Sequence, residues 1–255
     1  MGRKSIAAQS LEYLLSIKEV EVIGVLTDNH LTVSPTRDLT LSHDLKLYDF
    51  EEALVAMKAG ILQFDLGLSV LYWRKLREEF LSQPSRGIIN FHPAPLPEYK
   101  GTAGYNMAIL DNLAEWAVTA HYIDEDIDTG GIIEVSRFTI FPELETALSL
   151  EKKTQPVLFD LFKHTVNRAI LSHNLLPTTP NIGGRYISRK EMESMKEVHP
   201  GNDVALKIRA FWFPPYDGAY IIVNGVKCTL IDNFILQQIA DPTISSLFTK
   251  KSDKL

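Results

Sequence analysis

The chain has one cysteine, Cys228, in 255 residues. A single cysteine excludes an internal disulfide and any zinc-finger spacing, and it suits a reducing compartment. No apolar run approaches the roughly 20 residues of a membrane-spanning helix. The opening M-G-R-K-S-I-A-A-Q-S lacks the apolar core of a signal peptide. Basic charge is also short, since 26 Lys and Arg against 32 Asp and Glu leave a net charge of −6. That balance argues against a protein whose main task is gripping a nucleic-acid backbone. No internal repeat or low-complexity tract stands out. What is present, 45% hydrophobic and 23% charged residues, is ordinary for a globular chain with room for one large domain, or one medium domain with an appendage. The expectation is a cytoplasmic enzyme that does not enter a membrane.

Ile6, Leu11, Leu14 and Leu15 recur at helical spacing and predict a helix over 6–17. V-E-V-I-G-V-L at 20–26 reads as a strand, and the polar stretch 28–45, with Pro35, as a long loop. Asp49 is placed to cap a helix over 50–59, with Glu51 and Glu52 in its first turn. Further strands are expected over 65–71, 87–92, 117–123 and 132–140, and helices over 73–81, 102–113 and 146–173. The alternation predicts an α/β fold with a mostly parallel, Rossmann-like sheet flanked by helices. Chains of this class open with a strand, and this one opens with a helix. Either the first strand is missing or the sheet is built differently.

L-L-P-T-T-P-N-I-G-G, with two prolines and a Gly-Gly pair, marks a linker at 176–184 between a domain at 1–175 and a small α+β unit at 185–255. The small unit should hold a short strand over 185–188, a helix beginning near Ser188 and another capped by Asp203. A β-hairpin follows over 219–231 on Asn224-Gly225, which suits a two-residue type I′ turn. A frayed end is expected from about Ser252.

The stretch from Gly87 to Gly131 carries the chemistry. Asn90 and His92 stand two positions apart at the end of a strand and so face the same way. Pro93, Pro95 and Pro97 then force a stiff, irregular loop. A second strand runs into Asp124, Glu125, Asp126 and Asp128, and open α/β sheets build their sites at such strand ends. An amide can donate to a carbonyl oxygen gaining charge, an imidazole can donate or shuttle a proton, and a carboxylate can orient that imidazole. The set suits acyl transfer. No Ser in either loop has a G-x-S-x-G context and Cys228 lies far away in sequence, so the attacking atom should come from a substrate such as an amine. The acids at 124, 126 and 128 lack the Gly and distal Glu spacing of an EF-hand.

N-F-H-P-A-P-L-P-E-Y-K-G, followed by H-Y-I-D-E-D-I-D-T-G, resembles the signature of the folate-dependent formyltransferases. Glycinamide ribonucleotide transformylases, methionyl-tRNA formyltransferases and nucleotide-sugar N-formyltransferases belong to that family. Asn90, His92, Pro93, Leu96, Pro97, Tyr99 and Gly101 match its first motif, and His121, Asp128 and Gly130 its second. Ala94 stands where Ser is common. The resemblance covers most of residues 1–175.

The resemblance implies a catalytic trio of Asn90, His92 and Asp128. It implies 10-formyltetrahydrofolate as formyl donor, no metal, and a pterin lying against Leu71, Tyr72, Arg74 and Leu76 and against Asp124, Glu125, Asp126 and Ile127. Tyr72 and Trp73 suit helix-start packing equally well. G-R-Y-I-S-R-K-E-M-E, followed by I-R-A-F-W-F-P-P-Y-D-G-A-Y, is similar to the second half of nucleotide-sugar formyltransferases. Lys100, Gly101, Arg185, Tyr186 and Arg209 are the substrate-binding residues that likeness implies, with Arg189 and Lys190 as further phosphate partners. Phe211, Trp212, Phe213 and Tyr216 offer a base-binding face or a small core under the hairpin. The expected acceptor is a nucleotide-linked amino sugar. The alternatives are a methionyl-tRNA formyltransferase-like enzyme and a non-catalytic folate-binding relative. An apolar face on the hairpin unit would suit a homodimer.

Overall fold

The computed structural model describes residues 1–27, 31, 33–172 and 174–239. Asp28, Asn29, His30 and Thr32 of the expected loop, His173 at the expected helix end, and the expected frayed end from Ser252 lie outside the described residues. The chain opens with helix α1 (Lys4–Leu15), which buries Ile6, Ala7 and Leu11. Strand β1 (Val25–Leu26) is shorter than the run expected over 20–26 and pairs in parallel with β2 (Leu47–Tyr48). The stretch expected as a long loop holds helix α2 (Pro35–Ser42). Its start signal is local: Pro35 takes the first turn, and the Ser34 hydroxyl accepts from the Arg37 N–H at 3.3 Å.

Helix α3 (Phe50–Lys58) begins where expected, at an Asp49–Glu52 capping box with reciprocal bonds of 2.8 and 3.0 Å. Strand β3 (Gly67–Val70) follows, and the helix expected over 73–81 shrinks to α4 (Glu78–Ser82). Leu71 turns the chain with a φ of 52°, left-handed backbone that a right-handed helix cannot continue. Strand β4 (Ile88–His92), strand β5 (Tyr99–Gly101) and helix α5 (Gly104–Leu110) come next. They lead into β6 (Glu115–Tyr122), β7 (Ile132–Thr139) and the 25-residue helix α6 (Ala147–Leu171), which Thr146 caps. The C-terminal part comprises β8 (Arg185–Ile187), α7 (Arg189–Ser194), α8 (Val204–Phe211), β9 (Tyr220–Val223), β10 (Val226–Thr229) and α9 (Asn233–Ile239). Asn224 and Gly225 both have positive φ, as the expected hairpin turn requires.

The α/β class holds, and the central sheet is mixed. Its order is β3-β4-β6-β7, with β3 and β4 parallel and β6 and β7 each joined antiparallel. Residues 93–114 explain the switch. They fold back as β5 and the short α5 instead of crossing the sheet, so β6 enters at the end where β4 leaves. One core, with Ile89, Phe91, Val118 and Phe162, lies between the sheet and the α1–α6 pair. A second, with Phe50, Met57, Phe80 and Ile88, lies under α3 and α4.

The front of the chain is built differently from a plain helix start. Gly2 bridges Val70 in parallel, so residues 1–3 form a short strand-like stub beside β3 ahead of α1. Behind the sheet, Ile208, Phe211, Ala219 and Ile235 form a third core that also takes in Ile109 of α5 and Ala147 of α6. The C-terminal elements therefore pack on α5 and α6 through shared apolar contacts.

Removing the Asp49 cap unmasks helix donors without disturbing a core. Asp49→Ala is expected to lower unfolding free energy by about 1 kcal/mol in urea titrations, with the denaturant slope unchanged.

Candidate active site

Period-two alternation sorts β4. Ile89 and Phe91 enter the α1–α6 core, so Asn90 and His92 face the opposite side with Ile88. The proline loop beyond His92 is fastened to β6. Trp116 donates to the Pro93 carbonyl at 3.1 Å, the Leu96 N–H donates to the Thr119 hydroxyl at 3.1 Å, and that hydroxyl donates to the Ala94 carbonyl at 2.8 Å. Register sets Asn90 opposite His121 and His92 opposite Thr119.

Four side chains converge there. The His121 Nδ1–H donates to the Tyr122 carbonyl at 2.7 Å, which leaves Nε2 to accept from the Asn90 amide at 3.1 Å. Asn90 keeps a second amide N–H. The His92 Nε2–H donates to the Tyr99 carbonyl at 2.9 Å, and its Nδ1 stands 3.5 Å from the Asp128 carboxylate. The other Asp128 oxygen lies 3.5 Å from His121 Nε2. The Gly101 backbone N–H donates to Asp128 at 2.9 Å. His92, His121 and Asp128 are all buried, whereas Asp124, Glu125 and Asp126 are exposed.

Burial sets the charges. It pushes the Asp128 carboxyl up, but His92, His121 and the Gly101 N–H outweigh it and hold the group at about 2. Burial also lowers His92, against the opposing pull of Asp128, so the imidazole is neutral at pH 7. The cluster is one carboxylate between two imidazoles.

Sequence reasoning missed two residues that position this group. His121 matches the family motif but had no role there; it orients the Asn90 amide. Asn181, in the segment expected as a linker, donates to the carbonyls of Asp128 at 3.0 Å and Gly130 at 2.9 Å. It holds Asp128 in left-handed backbone, φ 57°. A Cβ on Gly130 would meet the Tyr122 carbonyl oxygen at 2.0 Å, so the turn behind Asp128 requires glycine.

The expected donor-binding residues fall into two loops. Lys75 Nζ reaches Asp126 at 3.5 Å across the gap between them. Arg74 lies 4.6 Å over the Trp73 ring, next to Tyr72. Leu76 is an exception: its side chain is buried in the core with Phe50 and Phe80. Ile127 is exposed on one loop, and Tyr72, Trp73 and Arg74 form a contacting group on the other.

The expected acceptor residues are brought together in part. β5 and β8 pair in parallel and set Lys100 against Tyr186 and Gly101 against Ile187. Arg185 is tied to Glu191 at 3.1 Å, and Tyr186 is half exposed. Arg209 lies apart on α8, which packs on α5 and α6, and its Nε has no hydrogen-bond partner among the described residues. Phe211 is core, with Trp212 and Phe213 packed against it, while Tyr216 is exposed.

The low carboxyl value of Asp128 stabilises the fold above the ordinary carboxylate range, and that contribution is lost as pH falls from about 4 towards 2. The loss is roughly 2 kcal/mol. Asp128→Asn is expected to remove this acid-side slope in urea unfolding measured across that window.

A family model described as formyl transferase matches residues 36–162. A methionyl-tRNA formyltransferase from Fusobacterium nucleatum is 30% identical over 172 residues, covering 63% of this chain; the chain spans 54% of that relative's length. One from Staphylococcus aureus is 27% identical over 267 residues, covering 99% of this chain and 84% of the relative. Among solved structures, an N-formyltransferase from Helicobacter canadensis, in complex with folinic acid and dTDP-3-aminofucose, matches with a TM-score of 0.67 and 27% identity, over 89% of this chain and 83% of that one. A 4-N formyltransferase from Francisella tularensis matches with a TM-score of 0.72 and 21% identity, over 89% and 93%, which shows the shared fold. Motif, fold and relatives agree: the chain carries a formyl transferase domain over residues 36–162 and is similar along most of its length to formyltransferases.

Proposed function

We propose that this protein transfers a formyl group from 10-formyltetrahydrofolate to the amine of a nucleotide-linked amino-deoxysugar. The observation that carries the transfer chemistry is the buried group of Asn90, His92, His121 and Asp128, which contains polarising and proton-handling groups but no nucleophile. The donor supplies a formyl carbon held on nitrogen as the electrophile. The second Asn90 N–H is available to the formyl oxygen as that oxygen gains charge. At about 2, Asp128 is a weak base, so its role is to stabilise a proton taken up at His92 Nδ1. The attacking amine loses that proton as its nitrogen bonds the formyl carbon. The proton then passes to the nitrogen from which the carbon departs.

Two observations favour the amino-sugar acceptor. The Helicobacter canadensis protein, aligned along most of this chain, binds dTDP-3-aminofucose. The β5–β8 register, with Lys100 opposite Tyr186 and Gly101 opposite Ile187, supports a role for Lys100, Arg185 and Tyr186 in acceptor binding, since the Gly101 amide bonds Asp128. A tRNA acceptor is the second reading, favoured by the Staphylococcus aureus alignment along 99% of this chain. The net charge of −6 weighs against it.

The deciding experiment incubates the protein with 10-formyltetrahydrofolate and a panel of amino-sugar nucleotides, scoring the mass gain of one formyl group. Formylation of one member is expected. Formylation of methionyl-tRNA alone, with tRNA binding that falls steeply with salt, would establish the second reading instead. Asn90→Ala and His92→Ala are each expected to lower kcat about a hundredfold. Near-normal turnover in purified His92→Ala would sink the mechanism. The acid limb of kcat should lie below the ordinary imidazole range near 6.5, because burial lowers His92, and activity should rise with pH through it. Asp128→Asn should move that limb lower still, since it removes the charge that favours the imidazolium.

A further inference from the structure

The turn that carries Asp128 is gripped by a side chain 53 residues further along the chain. Asn181 donates one amide N–H to the Asp128 carbonyl at 3.0 Å and another to the Gly130 carbonyl at 2.9 Å. The two acceptors bracket Thr129, so a single side chain pins both ends of the turn. The amide must present its nitrogen here, because its oxygen would face two carbonyl oxygens. Asp128 stands at φ 57°, left-handed backbone that a residue with a Cβ keeps only when its surroundings impose it. The same turn lies against the Tyr122 carbonyl at Gly130, too close for a Cβ. The end of β6 and Asn181 together hold it.

Asn181 is itself held from both ends of its segment. Ahead of it, Thr179 and Ile132 exchange both backbone hydrogen bonds, at 2.8 and 3.0 Å, and a Cβ on Gly131 would meet the Thr178 hydroxyl at 2.9 Å. Pro180 comes next, with φ fixed by its ring. Beyond Asn181, the Arg185 N–H donates to the Glu98 carbonyl at 2.9 Å, and β8 pairs with β5 as far as Gly101. Gly101 in turn gives Asp128 its backbone N–H. One segment, 178–187, thus braces both the turn of the carboxylate and its main-chain donor. The carboxylate oxygens stand 3.5 Å from His92 Nδ1 and from His121 Nε2, longer than the ideal of about 2.9 Å. Attraction between charges depends on their separation, so the tilt of the turn sets how strongly Asp128 acts on His92.

We propose that Asn181 is a positioning residue for the transfer reaction: its amide fixes the Asp128 turn, and with it the distance at which the carboxylate faces His92. The proposal rests on the formyl-transfer reading above. The groups that act on the His92 charge are Asp128 from the turn and His121 from β6, with the Tyr99 carbonyl presented from β5 and burial opposing the charged ring. Of these residues, Asn181 bonds Asp128 alone. Without the clamp, the turn is free to leave its left-handed backbone, and the carboxylate draws away from His92. The imidazole then holds a proton at Nδ1 less firmly, since Asp128 is the charge that favours it.

The test compares the full chain with Asn181→Leu, which keeps the volume and removes the donors, and with Asn181→Gln, which keeps the donors and displaces them by a methylene. The first readout is the titration of the His92 ring by NMR in the free protein. Asn181→Leu is expected to lower its midpoint by about 0.3 pH unit or more, in the direction of Asp128→Asn and no further. Asn181→Gln should move it the same way by less, and it carries the test if the leucine variant does not fold. The second readout is kcat on the acceptor that the panel identifies. Asn181→Leu should lower kcat about tenfold with the KM for the formyl donor unchanged. In an Asp128→Asn background the same change should cost less than about twofold, because the residue through which it acts is already disarmed. An unmoved His92 midpoint in folded protein would overturn the proposal, and so would kcat losses that simply multiply. The titration needs no substrate, so it decides the positioning of Asp128 even if no member of the panel is formylated, an outcome that counts against the transfer reading instead.

Discussion

A carboxylate that is nine-tenths buried must be compensated, and the compensation of Asp128 comes from three separate pieces of chain. Gly101 on β5 gives a backbone N–H, and His92 at the end of β4 and His121 on β6 give imidazoles whose charged forms hold the carboxyl value down. Asn181, more than fifty residues further on, clamps the loop that carries the carboxylate. Loss of any one partner would leave buried charge uncovered, which is costly in a low-dielectric setting. The cost makes the geometry self-enforcing. The strand ends, the proline loop and the 176–184 segment are all held where Asp128 needs them.

That constraint also defines the chemistry. The His92 Nε2–H is committed to the Tyr99 carbonyl, and at Nδ1 burial disfavours the charged ring more than Asp128 favours it. The amide of Asn90 is aimed by an acceptor, His121 Nε2, that has no other proton to offer.

The C-terminal unit takes part in the same arrangement. β8 adds to β5, so the segment that braces Gly101 also brings Arg185 and Tyr186 to the site wall. Gly101 itself, at φ 89°, allows this approach, since a Cβ there would meet the Ile187 carbonyl oxygen at 2.3 Å. The opposite end of the sheet is tied by the first residues of the chain. There residues 1–3 bond both β1 and β3, the Gly2 N–H donating to the Leu26 carbonyl and the Val70 N–H to the Met1 carbonyl.

What was legible in the chain was local or periodic. Asp49 and Glu52 announced α3 because a capping box involves only neighbours, and Asn224-Gly225 announced its hairpin because two positive φ angles select those residues. Asn90, His92 and Asp128 stood out because the chemistry of an amide, an imidazole and an acid is intrinsic to the residue types and their motif spacing. The sequence did not disclose the mixed sheet, the helix α2 hidden in polar residues, the burial of Leu76, or the reach of Asn181 to Asp128. Each depends on which distant segment lies alongside. Asp124, Glu125, Asp126 and Asp128 are alike as letters, and only the folded chain buries the last and leaves the others in water. Identity and spacing are properties of the chain, but burial, and with it charge state, is decided by the three-dimensional surroundings.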